Sequence, residues 1–232
     1  MRKGIMLGLI AMSCSLLVGS VQAQNSTFLT FTSFMYESDN TPGVQGFPPS
    51  NEGDVMTAVG FIESVGPELD WDTEAVQLTV VMYDLISTGE QDIGNGLYYI
   101  VYTGGSVDII ANAYSDPNYT YPDYGVEPSN ATSPSTFWDG EVYLTGQFYS
   151  FYMTYYPALH IGSFEGYLDW TGGSQLNLMY PDPEGYTLAG TVDPFGAQVP
   201  DGYDLEAVGD ITFDPAIPVK ENTWGQVKSL YR

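Results

Sequence analysis

Apolar and polar side chains alternate with a period of two through most of this chain, interrupted by glycine, proline and asparagine, and no long window carries the 3.6-residue period of an amphipathic helix. The alternation predicts strands over residues 55–65, 75–86, 97–102, 107–114, 141–156, 161–170, 175–180, 186–192 and 205–213. About nine strands with short glycine-containing connections define an all-β fold, a single antiparallel sandwich or barrel-like domain. Two near-identical segments, Tyr102-Thr103-Gly104-Gly105-Ser106 and Trp170-Thr171-Gly172-Gly173-Ser174, are expected to be hairpin turns, because a glycine pair can take the positive φ that tight turns demand. Leu69-Asp70-Trp71 also recurs as Leu168-Asp169-Trp170. The offsets of 68 residues for the turn and 99 for the tripeptide differ, so repeated hairpin chemistry explains the echoes better than a tandem duplication. Residues 116–134, with four prolines and three tyrosines, form a long irregular excursion.

The first segment reads as an export signal. Arg2 and Lys3 make a positive start, residues 5–18 are apolar, and Val21-Gln22-Ala23 offers a cleavage site, giving a signal peptide over residues 1–23. Cys14 lies inside the apolar stretch. A lipoprotein signal fits it poorly, since Ala11 stands three residues before it and Ser15-Leu16-Leu17-Val18 after it is apolar. If Cys14 leaves with the signal, no disulfide, thiolate metal site or cysteine nucleophile remains. No other stretch reaches the roughly 18–20 apolar residues of a membrane-spanning helix. The expected organisation is therefore signal (1–23), acidic β-domain (24–214) and a linker with a short basic tail (215–232), exported to the periplasm, cell surface or extracellular space.

Charge narrows the function. The chain has 232 residues with 5 Lys and Arg against 29 Asp and Glu, and the basic ones are Arg2, Lys3, Lys220, Lys228 and Arg232. The body can build no phosphate-neutralising surface, so nucleic acid is excluded as a partner. A P-loop lysine, an arginine clamp and a Schiff-base lysine are excluded with it. The available metal ligands are oxygens, which suit Ca²⁺. Candidate ligand groups are Asp70, Asp72 and Glu74, then Asp201, Asp204 and Glu206; none forms an EF-hand loop, and the same residues can instead be a solvated acidic surface.

Aromatic residues are the richest resource, with 19 Tyr, 11 Phe and 4 Trp. Most belong to a β-core, but Trp138, with Asp139 and Glu141 beside it and the long excursion before it, is a candidate ligand platform. Catalysis has little equipment. His160 is the only imidazole and no nucleophile-elbow sequence accompanies it. Paired carboxylates such as Asp70 and Asp72 have the spacing of an inverting glycosidase if extended, a spacing that arises by chance in so acidic a chain.

The C-terminus differs from the body. Thr223-Trp224-Gly225-Gln226 is a capping-box pattern that predicts a short helix with Trp224 on its apolar side and Lys228 and Arg232 near its end. Either it packs on its own sheet or Trp224, Lys228 and Arg232 form an address read by sorting or secretion machinery. Thr-Trp-Gly-Gln-Val-Lys-Ser-Leu-Tyr-Arg resembles short tails of other secreted bacterial proteins, and the body resembles uncharacterised exported β-proteins; the resemblance implies no activity and no site residues. Together these features predict a non-enzymatic surface or extracellular structural or binding module, open to Ca²⁺ stabilisation. Alternatives are a glycan-binding or glycan-hydrolysing protein with a glycan or cell-surface partner, and an outer-membrane barrel suggested by the alternating aromatic strands.

Overall fold

A computed structural model describes residues 26–38, 47, 49–67, 69–118, 137–179, 185–194, 199–200 and 202–213. Eight strands run in chain order: β1 (Ser26–Glu37), β2 (Glu52–Val65), β3 (Val76–Gly94), β4 (Leu97–Ala113), β5 (Glu141–Tyr156), β6 (Ile161–Gly172), β7 (Tyr186–Asp193) and β8 (Leu205–Phe213). Each pairs antiparallel with the next, and β8 returns to β1, so the sheet closes into a barrel with no free edge.

The period-two pattern decides which side chains turn inward. On β5, Leu144, Gly146 and Phe148 face the interior; a bulge at Tyr149 shifts the register, and Phe151, Met153 and Tyr155 then face inward. Large rings sit over glycines on opposing strands. A Cβ at Gly190 or Gly209 would lie 2.5 or 2.8 Å from Cζ of Phe164, and one at Gly166 would lie 2.9 Å from Phe151. Phe151 and Phe164 stack at 5.9 Å, and Phe31 packs on Phe164 at 6.3 Å. The barrel is therefore filled by its own side chains, as eight strands permit.

The end where β8 finishes, here the lower end, is plugged by Leu69 and Trp71 from the β2–β3 connection, with Phe28, Trp170 and Tyr186 around them. A second cluster lies outside the barrel. Phe34, Val59, Val81 and Ile110 point outward from β1–β4 and are covered by Phe137, Val199 and Tyr203. Thr79 Oγ1 donates to the Phe137 carbonyl at 2.9 Å, which fixes that cover.

All-β architecture is as expected, and the strand count differs for physical reasons. Residues 97–102 and 107–114 are one continuous strand, β4, ending at Ala113. The glycine pair expected to turn there instead makes a kink: Gly104 and Gly105 have φ of 70° and 93°, opposite Asp84 at 58° on β3, while the pairing register is the same on either side. A Cβ on Gly105 would lie 2.4 Å from Leu85 Cδ2. The actual turn is Asn95-Gly96, φ 58° and 76°, the two left-handed residues that a two-residue hairpin loop requires. At the second glycine pair β6 ends, but the chain enters a 3₁₀ turn, Leu176–Leu178, rather than a strand over 175–180. The strand β1 was not predicted because both its faces are buried, Phe31 and Met35 inward and Phe34 outward, which obscures the alternation.

Among the described residues no helix is long and apolar enough to cross a membrane. The segment expected to be a signal peptide, with Cys14, the excursion beyond Asn118 and the C-terminal tail lie outside the described residues.

Candidate functional site

The outer surface of the barrel has two characters. Around Phe34, Val59, Val81 and Ile110 of β1–β4 it is apolar and covered, as described above. Over β4–β7 the pairing register lines up polar and aromatic side chains in rows across the strands, spaced by about 4.8 Å. One row is Val101, Tyr152, Glu165 and Ala189; the next is Tyr99, Thr154, Ser163 and Thr191. Tyr167 and Asp169 continue the outward series on β6, and Tyr149 stands out at the β5 bulge, 70% exposed. Tyr99 and Tyr152 meet at 5.7 Å and 45°. Toward the upper rim the face opens into a groove of about 540 Å³ bordered by Leu97, Tyr156, Ile161, Ser163, Thr191 and Asp193.

Tyrosine hydroxyls set the electrostatics of this face. Tyr152 and Tyr167 both hydrogen-bond Glu165, and these bonds hold its carboxyl below the ordinary carboxylate range. The Tyr149 hydroxyl donates to Asp169, and that bond raises the tyrosine above its usual value. The tyrosines thus stay protonated and the Glu165 carboxylate stays ionised at neutral pH. Thr154 Oγ1 and Ser163 Oγ lie 2.9 Å apart in the same strip. Such a face offers rings for stacking and oxygens that accept hydrogen bonds from hydroxyl groups. It carries no Lys or Arg to pair with an anion.

A different group occupies the upper end of the interior. Glu37 closes β1 and is 9% exposed. Its Oε1 accepts the hydroxyls of Tyr102 and Ser50, the latter at 3.1 Å, and its amide donates to Asp204 Oδ2 at 3.2 Å. Oε2 is buried, with no hydrogen-bond partner among the described residues. Burial pushes the Glu37 carboxyl up to about 7, against the lowering by Tyr102 and Ser50, with Asp54 and Asp204 adding repulsion. Burial and the neighbouring Glu37 also hold the Tyr102 hydroxyl well above its usual value. Glu37 borders a cavity of about 20 Å³ whose walls include Met35, Met56, Ile100 and Met153. That space suits one water. Above it Phe47, Tyr155 and Tyr98 stack in series at 4.7 and 5.3 Å, and Tyr155 donates to Glu90.

The residues singled out from sequence are placed as follows. Trp138 is 42% exposed, its ring edge-on to Tyr83 at 5.1 Å. Asp139 accepts the Asn112 side-chain amide at 3.2 Å, and Glu141 is exposed at the start of β5. Asp70, Asp72 and Glu74 lie exposed between β2 and β3, where Asp72 Oδ1 accepts the amides of Glu74 and Ala75 and so caps a turn. Asp204 is buried against Glu37 and Glu206 lies on the outer side of β8; Asp201, Trp224, Lys228 and Arg232 lie outside the described residues. Among the described residues no three His, Cys, Asp or Glu gather to hold a metal; the set with Asp201 lies partly outside them. His160 follows the 3₁₀ turn Pro157–Leu159 with φ of 55° and is exposed.

Sequence reasoning missed the tyrosine face and Glu37. The outward parity of Tyr152, Thr154, Ser163, Glu165 and Tyr167 was present in the alternation, but joining them needs the β5–β6 register. Glu37 lies in the unpredicted strand. The chain matches no family model, no curated protein and no solved structure, so function is argued from this geometry.

Proposed function

We propose that this protein is an exported, non-enzymatic binding module whose outer β4–β7 face takes a neutral, hydroxyl-rich ligand, namely a glycan chain. One observation carries the reading: among the described residues, an uncovered strip of tyrosines, hydroxyls and carboxylates leads into a groove, on a barrel whose interior is filled by its own side chains. Flat amphipathic rings contact the apolar faces of sugars, and carboxylates accept their hydroxyl protons. The absence of Lys and Arg between residues 4 and 219 favours neutral over anionic glycans. A hydrolytic role has less support, because Glu165 and Asp169 are engaged by tyrosines and stand four residues apart on one strand, roughly 13 Å. A lipid-spanning barrel carries its apolar band outward and its polar side chains inward. Here Phe31, Phe151 and Phe164 point inward and Glu165 and Asp210 outward, which supports a module that works in water.

A glycan array spanning neutral and acidic chains tests the proposal. Selective binding of neutral chains by the wild type, with loss of signal in Tyr149→Ala/Tyr167→Ala at unchanged folding, is expected. Binding that survives the double substitution, or is restricted to acidic glycans, overturns it.

A further inference from the structure

The acidic body leaves its own counter-charge to one segment. Apart from Arg2 and Lys3, the cations of this chain are Lys220, Lys228 and Arg232, all beyond β8 and outside the described residues. We propose that, until a ligand displaces it, this C-terminal segment docks on the lower part of its own tyrosine–carboxylate face, pairing its cations with Asp169 and Glu165 against the rings of Tyr149 and Tyr167.

Three observations point there. The first is where the barrel releases the segment. Phe213 ends β8 paired with Tyr186, and Tyr186 pairs with Leu168, the neighbour of Asp169. The face is thus two strands away, about 10 Å. The side chains of Asp169 and Tyr149 reach to the start of β7, since a Cβ on Gly185 would lie 3.3 Å from Asp169 Oδ1 and 4.0 Å from the Tyr149 ring. From Phe213 to Lys228 the chain can span at most roughly 50 Å, well beyond the need. The second is chemistry: ionised carboxylates beside exposed rings are what lysine and arginine side chains pair with and stack on, and Trp224, Val227 and Tyr231 bring apolar surface to the same rings. The third is the state of the alternatives. On the other side of β8, the outer face around Phe34 of β1 and Val59 of β2 is already covered by Phe137, Val199 and Tyr203. The Trp138 surface sits against Tyr83 of β3, three strands from β8 in the opposite direction.

The shortage of lysine makes the test sharp. Zero-length carbodiimide coupling of the full chain can join carboxylates only to Lys3, Lys220, Lys228 or the terminal amine. Cross-linked monomer would be digested with chymotrypsin and its linked peptides sequenced by mass spectrometry. We expect Lys220 or Lys228 coupled to Asp169 or Glu165, with the yield falling several-fold at 1 M NaCl and in Tyr149→Ala/Tyr167→Ala, which keeps both carboxylates. Coupling scattered over exposed acids such as Asp70, Asp72 and Glu141, or found only between two copies, overturns the proposal. The cross-links are read without any glycan, so failure here and failure of the glycan reading are separate results.

Discussion

Glutamine in place of Glu37 should stabilise the barrel above neutral pH and lose that advantage in mild acid. Glu37 is buried with Oε2 unpartnered, and its carboxyl is raised from 4.5 to about 7 in the folded chain. Because the native state holds this proton more tightly than the unfolded chain, stability falls as pH rises from about 4.5 to 7 and levels off beyond. A shift of this size corresponds to roughly 3 kcal/mol at most. Glu37→Gln keeps an acceptor for Tyr102 and Ser50 and places an amide donor near Asp54 and Asp204, so about 1–3 kcal/mol of that penalty is relieved at pH 8. Urea unfolding of both proteins at pH 5, 6, 7 and 8 measures the difference. Mutual repulsion among the other carboxylates also weakens both proteins as pH rises, so the quantity read is the gap between them. A gap that stays constant from pH 5 to 8, or a variant less stable than wild type at pH 8, would refute the reasoning.

Other consequences follow from packing. Phe137→Ala removes a fully buried ring that covers the outer cluster of Phe34, Val59 and Val81, and should cost about 3–5 kcal/mol in denaturant unfolding. Trp138→Ala, one residue on but 42% exposed, should cost about 1 kcal/mol or less; equal costs would contradict the covered-face description. Gly105→Ala combines a positive φ with a 2.4 Å approach to Leu85 and should destabilise by about 2 kcal/mol or more, whereas Gly53→Ala, at φ 95° with open space, should lose only about 1 kcal/mol. Thermal melts that rank these two in the reverse order would show that the β3–β4 kink is not sterically enforced. Tyr149→Ala/Tyr167→Ala should leave the melting midpoint within a few degrees of wild type, because Tyr149 is 70% and Tyr167 42% exposed.

The all-β class was legible because strands with one face on the core keep the alternation, as β6 does throughout and β5 does on either side of its bulge at Tyr149. Where both faces are buried, as in β1, period two dissolves. Glycine pairs proved ambiguous, since positive φ serves a kink within paired strands as well as a turn, and Gly104-Gly105 takes the first role. Asn95-Gly96, the stronger hairpin signal in the chain, marks the actual β3–β4 turn. The binding face was illegible for another reason: Tyr152 and Glu165 are 13 residues apart and meet only through the β5–β6 register. Acidic runs that looked like ion ligands in sequence, Asp70 to Glu74, are local turn chemistry in the fold.

The central claim, that the β4–β7 face is the binding surface, is tested most directly by NMR titration of the labelled protein with neutral hexasaccharides of glucose, xylose and N-acetylglucosamine. Saturable shifts confined to residues 97–103, 149–156, 161–169 and 187–193, absent in Tyr149→Ala/Tyr167→Ala, are the predicted result. Shifts centred on Trp138 and Tyr83, or no saturable shift with any of the three, would contradict the account.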